Sequence, residues 1–299
     1  MSAAEELPIN AKHPPRPGRW IAAVLAGFVL VWLAYTIIVN PNLHWDIVAD
    51  QQFDHRILAG LGVTIALAVI SMVVGIVLGV LVAVMQLSAN PVLRAAAGLY
   101  TWFFRGTPLL VQLIFWFNLA LIFPTVGIGV PFGGPQLVEW QTNALITPFV
   151  AGLLGLTINE GAYMAEIVRA GISSVAHGQR EAAEALGMPN RAVLRRVVLP
   201  QAMRVIIPPT GNQFISMLKT TSMVSVIAGA DLLTVAQHIY LDNFEVIALL
   251  IVASIWYLVL TTIASIGQHF IEKRFNRGQI SLRRRLGRDL LPVVRRRKS

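Results

Sequence analysis

Six stretches of this 299-residue chain, at about 20–39, 57–85, 103–123, 145–171, 205–230 and 246–270, are almost wholly apolar. Each approaches or exceeds the roughly 20 residues that a helix needs to cross the hydrocarbon core of a bilayer. Lipid offers no partner to backbone N–H and C=O groups, so such runs must satisfy them internally, as helices do. The expected fold class is therefore an all-α polytopic membrane protein with six transmembrane helices. Composition agrees: 56% of residues are hydrophobic and 13% charged, against roughly 25% charged in soluble domains. The absence of cysteine removes disulfides, thiolate nucleophiles and Cys-ligated metals.

The first run, Trp20 to Val39, is followed by Asn40-Pro41-Asn42 rather than by a small-x-small cleavage site. It is also longer than the ~7–15-residue core of a signal peptide, and reads as a retained anchor. Lys12, Arg16 and Arg19 precede it, Arg94 follows the second run, and Arg180, Arg191, Arg195, Arg196 and Arg204 lie between the fourth and fifth. The positive-inside rule places all of these, and both termini, in the cytoplasm. The opposite loops carry Asp46, Asp50, Asp54, Glu139, Asp231, Asp242 and Glu245, with Arg56 as the exception.

Net charge is +9, and residues 272–299 hold all of it, with eleven Lys/Arg against Glu272 and Asp289. A basic tail next to a membrane span is expected to sit near anionic headgroups rather than on nucleic acid. In the third run, FFRGTPLL (103–110) predicts a break at Gly106, with Thr107 as a cap and Pro108 in the first turn of the helix that follows.

Between two apolar runs lies EAAEALGMPNRAVLRRVVLP, Glu181 to Pro200, with two carboxylates, three arginines, a glycine and two prolines. Glu181 to Leu186 favour helix, and their acids suit a helix N-terminus. Gly187 suits a left-handed C-terminal position and Asn190 a cap. A second short helix, Arg191 to Leu199, is expected to stop before Pro200. The small side chains of Ala182, Ala183 and Ala185 would let a partner approach this cytoplasmic handle closely.

Glu181-Ala182-Ala183, then Gly187, Val197 and Leu199-Pro200 resemble the signature of the membrane subunits of ABC importers, with Val197 in place of the family's isoleucine. FFRGTPLLVQ (103–112), GAYMAEIVRAGI (161–172), HGQREAAEALG (177–187), LPQA (199–202) and LKTTSMVSVI (218–227) together resemble the polar amino acid branch, the histidine/glutamine/arginine-type permeases. The family often has aspartate where this chain has Thr220.

The resemblance implies a five-helix type I importer core over 57–271 plus one N-terminal helix. Residues 1–19 would be a cytoplasmic segment, 20–56 the extra helix and an outer loop, and 272–299 a cytoplasmic tail. It implies that 178–200 is a coupling helix, with Glu181, Ala182, Ala183, Gly187, Leu199 and Pro200 docking on a cytoplasmic ABC ATPase. Implied partners are two such ATPase subunits per complex, a second permease subunit, identical or not, and an extracytoplasmic amino-acid-binding protein. The cargo would be a polar amino acid and the location a bacterial plasma membrane.

Charged or amide residues inside apolar runs are functional candidates by default. Glu160 and Lys219 lie near the middle of their runs, and Asn212 and Gln213 follow Pro208, Pro209 and Gly211, which are expected to break the helix. Two readings stay open: a structural Glu160–Lys219 pair, or a polar lining for the substrate formed by Glu160, Asn212, Gln213 and Lys219. Glu166 and Arg169, three apart, are expected to form an ion pair. The loop at 124–144, which includes GIGVPFGGP, lacks Lys/Arg and is a candidate outer docking surface. No P-loop, HExxH or serine elbow is present, so no catalytic residue, metal or cofactor is expected, and ATP hydrolysis would belong to a partner. The alternatives are an ion-gradient-driven transporter, which would leave the handle unexplained, and a membrane scaffold, which intramembrane Glu160 and Lys219 argue against.

Overall fold

The computed structural model describes residues 17–129 and 136–296, with side chains described except at 17–20, 129, 136–137 and 276–296. The chain forms two compact units, up to Ile47 and from Val48. In the first, α1 (Pro17–Val39) is a single helix whose side chains from Ile21 onward are exposed. Asn40 closes the next turn by accepting from the Asn42 N–H at 3.0 Å.

Twelve α-helices, four short 3₁₀ or π segments and one hairpin make up the described chain. After α1 come α2 (Trp45–Gln51), α3 (His55–Gln86), α4 (Pro91–Gly106) and α5 (Leu109–Phe117). An antiparallel hairpin of β1 (Thr125–Gly129) and β2 (Gln136–Gln141) leads to α6 (Thr142–Leu145) and α7 (Pro148–Ser173). Next are α8 (His177–Ala185), α9 (Asn190–Val193), α10 (Leu199–Thr220), α11 (Leu232–Asn243) and α12 (Val246–Arg296). Residues 125–129 and 136–141 of the expected outer loop are thus a hairpin, while Val130–Pro135 lie outside the described residues.

Among the described residues, three helices are long and apolar enough to cross a membrane: Ile21–Val39, His55–Gln86 and Val246–Phe275. The pair Asn190–Ile227 and Leu232–Asn243, bent by 48°, makes a fourth if it is taken as one broken span. Of the other two apolar runs, 103–123 is divided between α4 and α5. The run at 145–171 forms the 26-residue α7, about 39 Å long at 1.5 Å per residue, but diluted by Asn159, Glu160, Glu166 and Arg169.

α3 shows how the core is built. Asp54 caps it, accepting from the Arg56 N–H at 2.7 Å. The Arg56 guanidinium returns to the same carboxylate at 3.1 Å, and this hydrogen bond holds the Asp54 carboxyl below its ordinary range. Along the buried side run Gly60, Thr64, Ala68, Ser71, Gly75, Gly79 and Ala83, three or four apart and so on one face. Val69, Val73, Val77, Val80 and Val84 are exposed. A line of small residues thus runs along the buried side, flanked by larger ones such as Ile57, Leu67 and Met72, as expected where helix association depends on close packing rather than on escape from water. At Gly79 a β-carbon would lie 2.4 Å from Met164 Cβ and 2.9 Å from the Ala165 nitrogen, so α3 and α7 touch almost backbone to backbone.

The break in the third run falls where expected, but Thr107 closes α4 instead of capping α5. Its hydroxyl donates to Phe103 O at 2.9 Å. Pro108 has no N–H for Phe104 O, and Gln112 Nε2 and Asn159 Nδ2 donate to that carbonyl instead, at 3.0 and 2.9 Å.

Pro208 and Pro209 do not break α10, which runs unbroken to Thr220. Gln268 of α12 spans the proline pair, donating to Pro208 O at 3.2 Å and to Asn212 Oδ1 at 3.0 Å. A helix can carry prolines where neighbouring helices support it. The change of helix type comes at Thr221–Ile227, a 3₁₀ segment. Asp231, expected in an outer loop, is fully buried as the cap of α11. It accepts from the Leu233 N–H at 3.1 Å and from the Thr234 hydroxyl.

Candidate functional site

The handle is a helix, a tight turn and a second helix. α8 begins at His177, so Glu181 and Glu184 fall in its middle and last turn, not at its N-terminus. Its end is locked as foreseen. Gly187 has φ +76°, its N–H donates to Glu184 O at 2.9 Å, and the Met188 N–H donates to Ala183 O at 3.2 Å. This pair of bonds is the Schellman closure, which requires a left-handed residue at that position. Pro189 precedes α9 in extended backbone, and Asn190 is the first helical residue, with no side-chain cap at that end.

The second helix does not stop at Pro200. Leu194–Val198 form a π turn, in which the Leu199 N–H reaches Leu194 O, and α10 continues directly from it. Proline at the second residue of α10 therefore interrupts nothing, because the π turn has already shifted the hydrogen-bond ladder.

The two faces of the handle differ. Ala183 is buried against Val193 and Val198, with Met188, Ile172 and Val175 around them. Its small side chain therefore serves the turn itself and is not open to a partner. Glu181, Ala182, Ala185 and Leu186 face outward, Leu186 being 83% exposed. Leu199 and Pro200 are also exposed. Leu186 was not singled out from the sequence; its signal is an apolar side chain directly before the helix-ending glycine of a polar helix.

A cavity of about 290 Å³ lies between α5, α7 and the α10–3₁₀ junction. Leu109, Leu156, Asn159, Glu160, Tyr163, Gln213, Ser216, Met217, Thr220 and Met223 line it. Among these described lining residues Glu160 alone carries a formal charge. It is 5% exposed, and its Oε1 has no hydrogen-bond partner. Gly75 makes room for it: a β-carbon there would lie 3.0 Å from Glu160 Cβ and Cγ.

Of the four residues expected to line a pathway, the structure brings Glu160 and Gln213 together. Lys219 is exposed and forms no ion pair with Glu160 among the described residues, so the structural pair is not formed. Asn212 is turned to Gln268 instead. Asn159, Tyr163 and Ser216 join the lining without having been singled out, and so does Thr220, noted only as a departure from the family's aspartate. They follow from helical spacing around Glu160 and Gln213, once the faces of α7 and α10 are known.

Beside this cavity Glu166 joins three elements. Arg169 Nη2 lies 2.8 Å from its Oε2, as expected, and Arg105 Nη1 of α4 lies 3.7 Å from the same oxygen. Gln86 Nε2, at the end of α3, donates to Oε1 at 3.3 Å. Arg105 also stacks 5.4 Å from the ring centre of Tyr163.

Known proteins resemble this chain in sequence and fold. Residues 75–277 match the family described as binding-protein-dependent transport system inner membrane component. The arginine transport system permease protein ArgU of Corynebacterium glutamicum is 45% identical over 278 residues, covering 93% of this chain and 86% of that protein. The L-cystine transport system permease protein TcyB of Bacillus subtilis is 37% identical, covering 80% of this chain and 94% of that one. A crystal structure described as an amino acid ABC transporter with histidines superposes with a TM-score of 0.65 at 34% identity, over 76% of this chain and 98% of that one. The family match and the likeness to an ABC transporter support the ATP-driven reading and not the gradient-driven alternative. The chain, an all-α protein embedded in the membrane, belongs to the binding-protein-dependent transport system inner membrane components, the permease subunits of ABC importers.

Proposed function

We propose that this chain carries a polar amino acid across a bacterial plasma membrane as one of two permease subunits. A cargo-loaded extracytoplasmic binding protein delivers the substrate to the outer side. Two cytoplasmic ABC ATPase subunits hydrolyse ATP, and each meets one handle through Glu181, Ala182, Ala185 and Leu186. The N- and C-termini face the cytoplasm. Gly187, Leu199 and Pro200 shape the handle and its junction with α10, and Ala183 anchors it from beneath.

The observation that carries the substrate assignment is Glu160: a buried carboxylate with an oxygen lacking a protein donor, facing a cavity otherwise lined by amide, hydroxyl and apolar groups. A buried charge is costly unless paired, and a transient partner is a cationic group of the cargo. The α-ammonium of any amino acid qualifies, and the side chain of a basic one qualifies better. Gln213 and Ser216 offer polar contacts across the same space.

Uptake of labelled arginine, lysine and glutamine by the reconstituted ATP-driven complex tests this, with wild type beside Glu160→Gln. Loss of a charge-assisted hydrogen bond, about 1.5–3 kcal/mol, predicts a fall of about ten- to a hundredfold in uptake efficiency, largest for the basic cargo, with the complex still assembled. Equal uptake by both forms would overturn the role of Glu160.

A further inference from the structure

α12 does not end where its membrane-crossing part ends. The apolar run ends near Ile271, where Glu272, Lys273 and Arg274 follow, and the helix continues to Arg296. The family match ends at residue 277, so almost all of this extension lies outside the common permease core. At about 100° per residue, Leu282, Leu286, Leu290 and Val293 fall within about 80° of one another on one face. Arg277, Arg284, Arg288 and Arg295 fall within about 40° on the opposite face.

The side of the membrane follows from packing. Gln268 bonds to Pro208 and Asn212, while Tyr257, eleven residues earlier, bonds to Asp231, beyond the other end of α10. α12 thus runs antiparallel to α10, and its later part leaves the core on the side where α10 begins, which is the side of the handle.

We propose that residues 278–296 form an amphipathic helix that lies in the headgroup region of the handle-side leaflet, bound to anionic lipid. The basic face supplies the charge complementarity: residues 278–296 hold six arginines against Asp289, and residues 272–299 together hold the whole net charge of +9. The leucine face supplies what a nucleic-acid-binding helix would leave unused, an apolar stripe to sink between acyl chains. The spanning helix delivers the tail to the membrane surface, where each Lys or Arg gains from the negative potential of the leaflet. Gly278, a weak helix former seven residues beyond Ile271, is the place for the chain to bend into the surface plane.

The chain has no cysteine, so a single introduced thiol can be labelled uniquely. Full-length Leu286→Cys and Ser281→Cys, each carrying an environment-sensitive fluorophore, are reconstituted into phosphatidylcholine vesicles with and without phosphatidylglycerol. Position 286 lies on the apolar face and position 281 on the polar one. The expected result is several-fold stronger quenching of the 286 label by a spin-labelled lipid when phosphatidylglycerol is present, with the 281 label unchanged. Raising salt from about 0.1 M to about 1 M shortens the screening length from about 10 Å to about 3 Å and should reverse most of that quenching. So should Arg284→Gln with Arg288→Gln and Arg295→Gln. Equal quenching at both positions, no dependence on anionic lipid, or a response only to added RNA or to an added ATPase subunit would each overturn the proposal.

Discussion

Glu166 shows what one residue can and cannot announce. Its pairing with Arg169 was legible, because three residues apart on a helix means one face. Its contacts with Arg105 and Gln86 were not, because those come from other elements and depend on how α3, α4 and α7 pack. Lys219 is the opposite case. From the sequence it looked like a partner for Glu160, but Gln213, Ser216, Met217 and Thr220 define the cavity side of α10. Lys219 and Asn212 lie about a quarter-turn away from that side. Depth along a helix can be read from a sequence; rotation about its axis is fixed by packing. The Glu166 carboxylate is about a quarter exposed and its arginines more so, so solvent screens the pairs. Glu166→Gln is expected to lower stability by about 1 kcal/mol, the upper end for such pairs, seen as a small drop in the thermal midpoint in detergent. A wild-type midpoint would mean that the three contacts contribute nothing.

At the scale of elements, two glycines make opposite predictions. A β-carbon at Gly187 meets nothing within 4 Å, so Gly187→Ala is strained only by φ +76°, at about 1–2 kcal/mol. The alanine variant should insert and assemble, yet transport poorly for its amount, because the handle turn is deformed. Gly79→Leu instead drives bulk into the α3–α7 contact, where overpacking costs about 1–3 kcal/mol or more. It should reduce the yield of folded protein in size-exclusion chromatography, while the molecules that do fold keep a normal handle. The reverse order of effects would contradict the roles of both positions. The left-handed glycine was legible because helix ends have few solutions. The continuation of α10 through Pro200, Pro208 and Pro209 was not, because the π turn and the bonds from Gln268 that accommodate them are invisible without the neighbouring helices.

Across the whole molecule, charge placement makes the claim that can be checked in intact cells. Arg180, Arg191, Arg195 and Arg196 cluster around the handle, whereas the hairpin strands carry Glu139 and no Lys or Arg. The positive-inside rule then puts handle and hairpin on opposite sides. A membrane-impermeant thiol reagent applied to spheroplasts should label Thr125→Cys at the hairpin and spare Leu186→Cys until the membrane is permeabilised. Equal labelling of both would refute this orientation. The apolar runs made the helical class plain, but α7 shows why counting runs differs from counting crossings: its polar residues serve the interior and lower its apolar score.

The knot of Ala183, Val193, Val198, Ile172 and Val175 has a mechanical consequence. It fastens the handle to the ends of two helices at once: α7, which carries Asn159 and Glu160, and α10, which carries Gln213 and Ser216. From Ile172 to Glu160 is about 18 Å along α7, and from Val198 to Gln213 about 22 Å along α10, at 1.5 Å per residue. These are two arms of nearly equal reach, hinged at one knuckle, with the cavity between their tips. If the handle docks as proposed, a shove on Leu186 would work them as the grip of a pair of tongs works its jaws, and a soft knuckle would squander the stroke before it reached the far end.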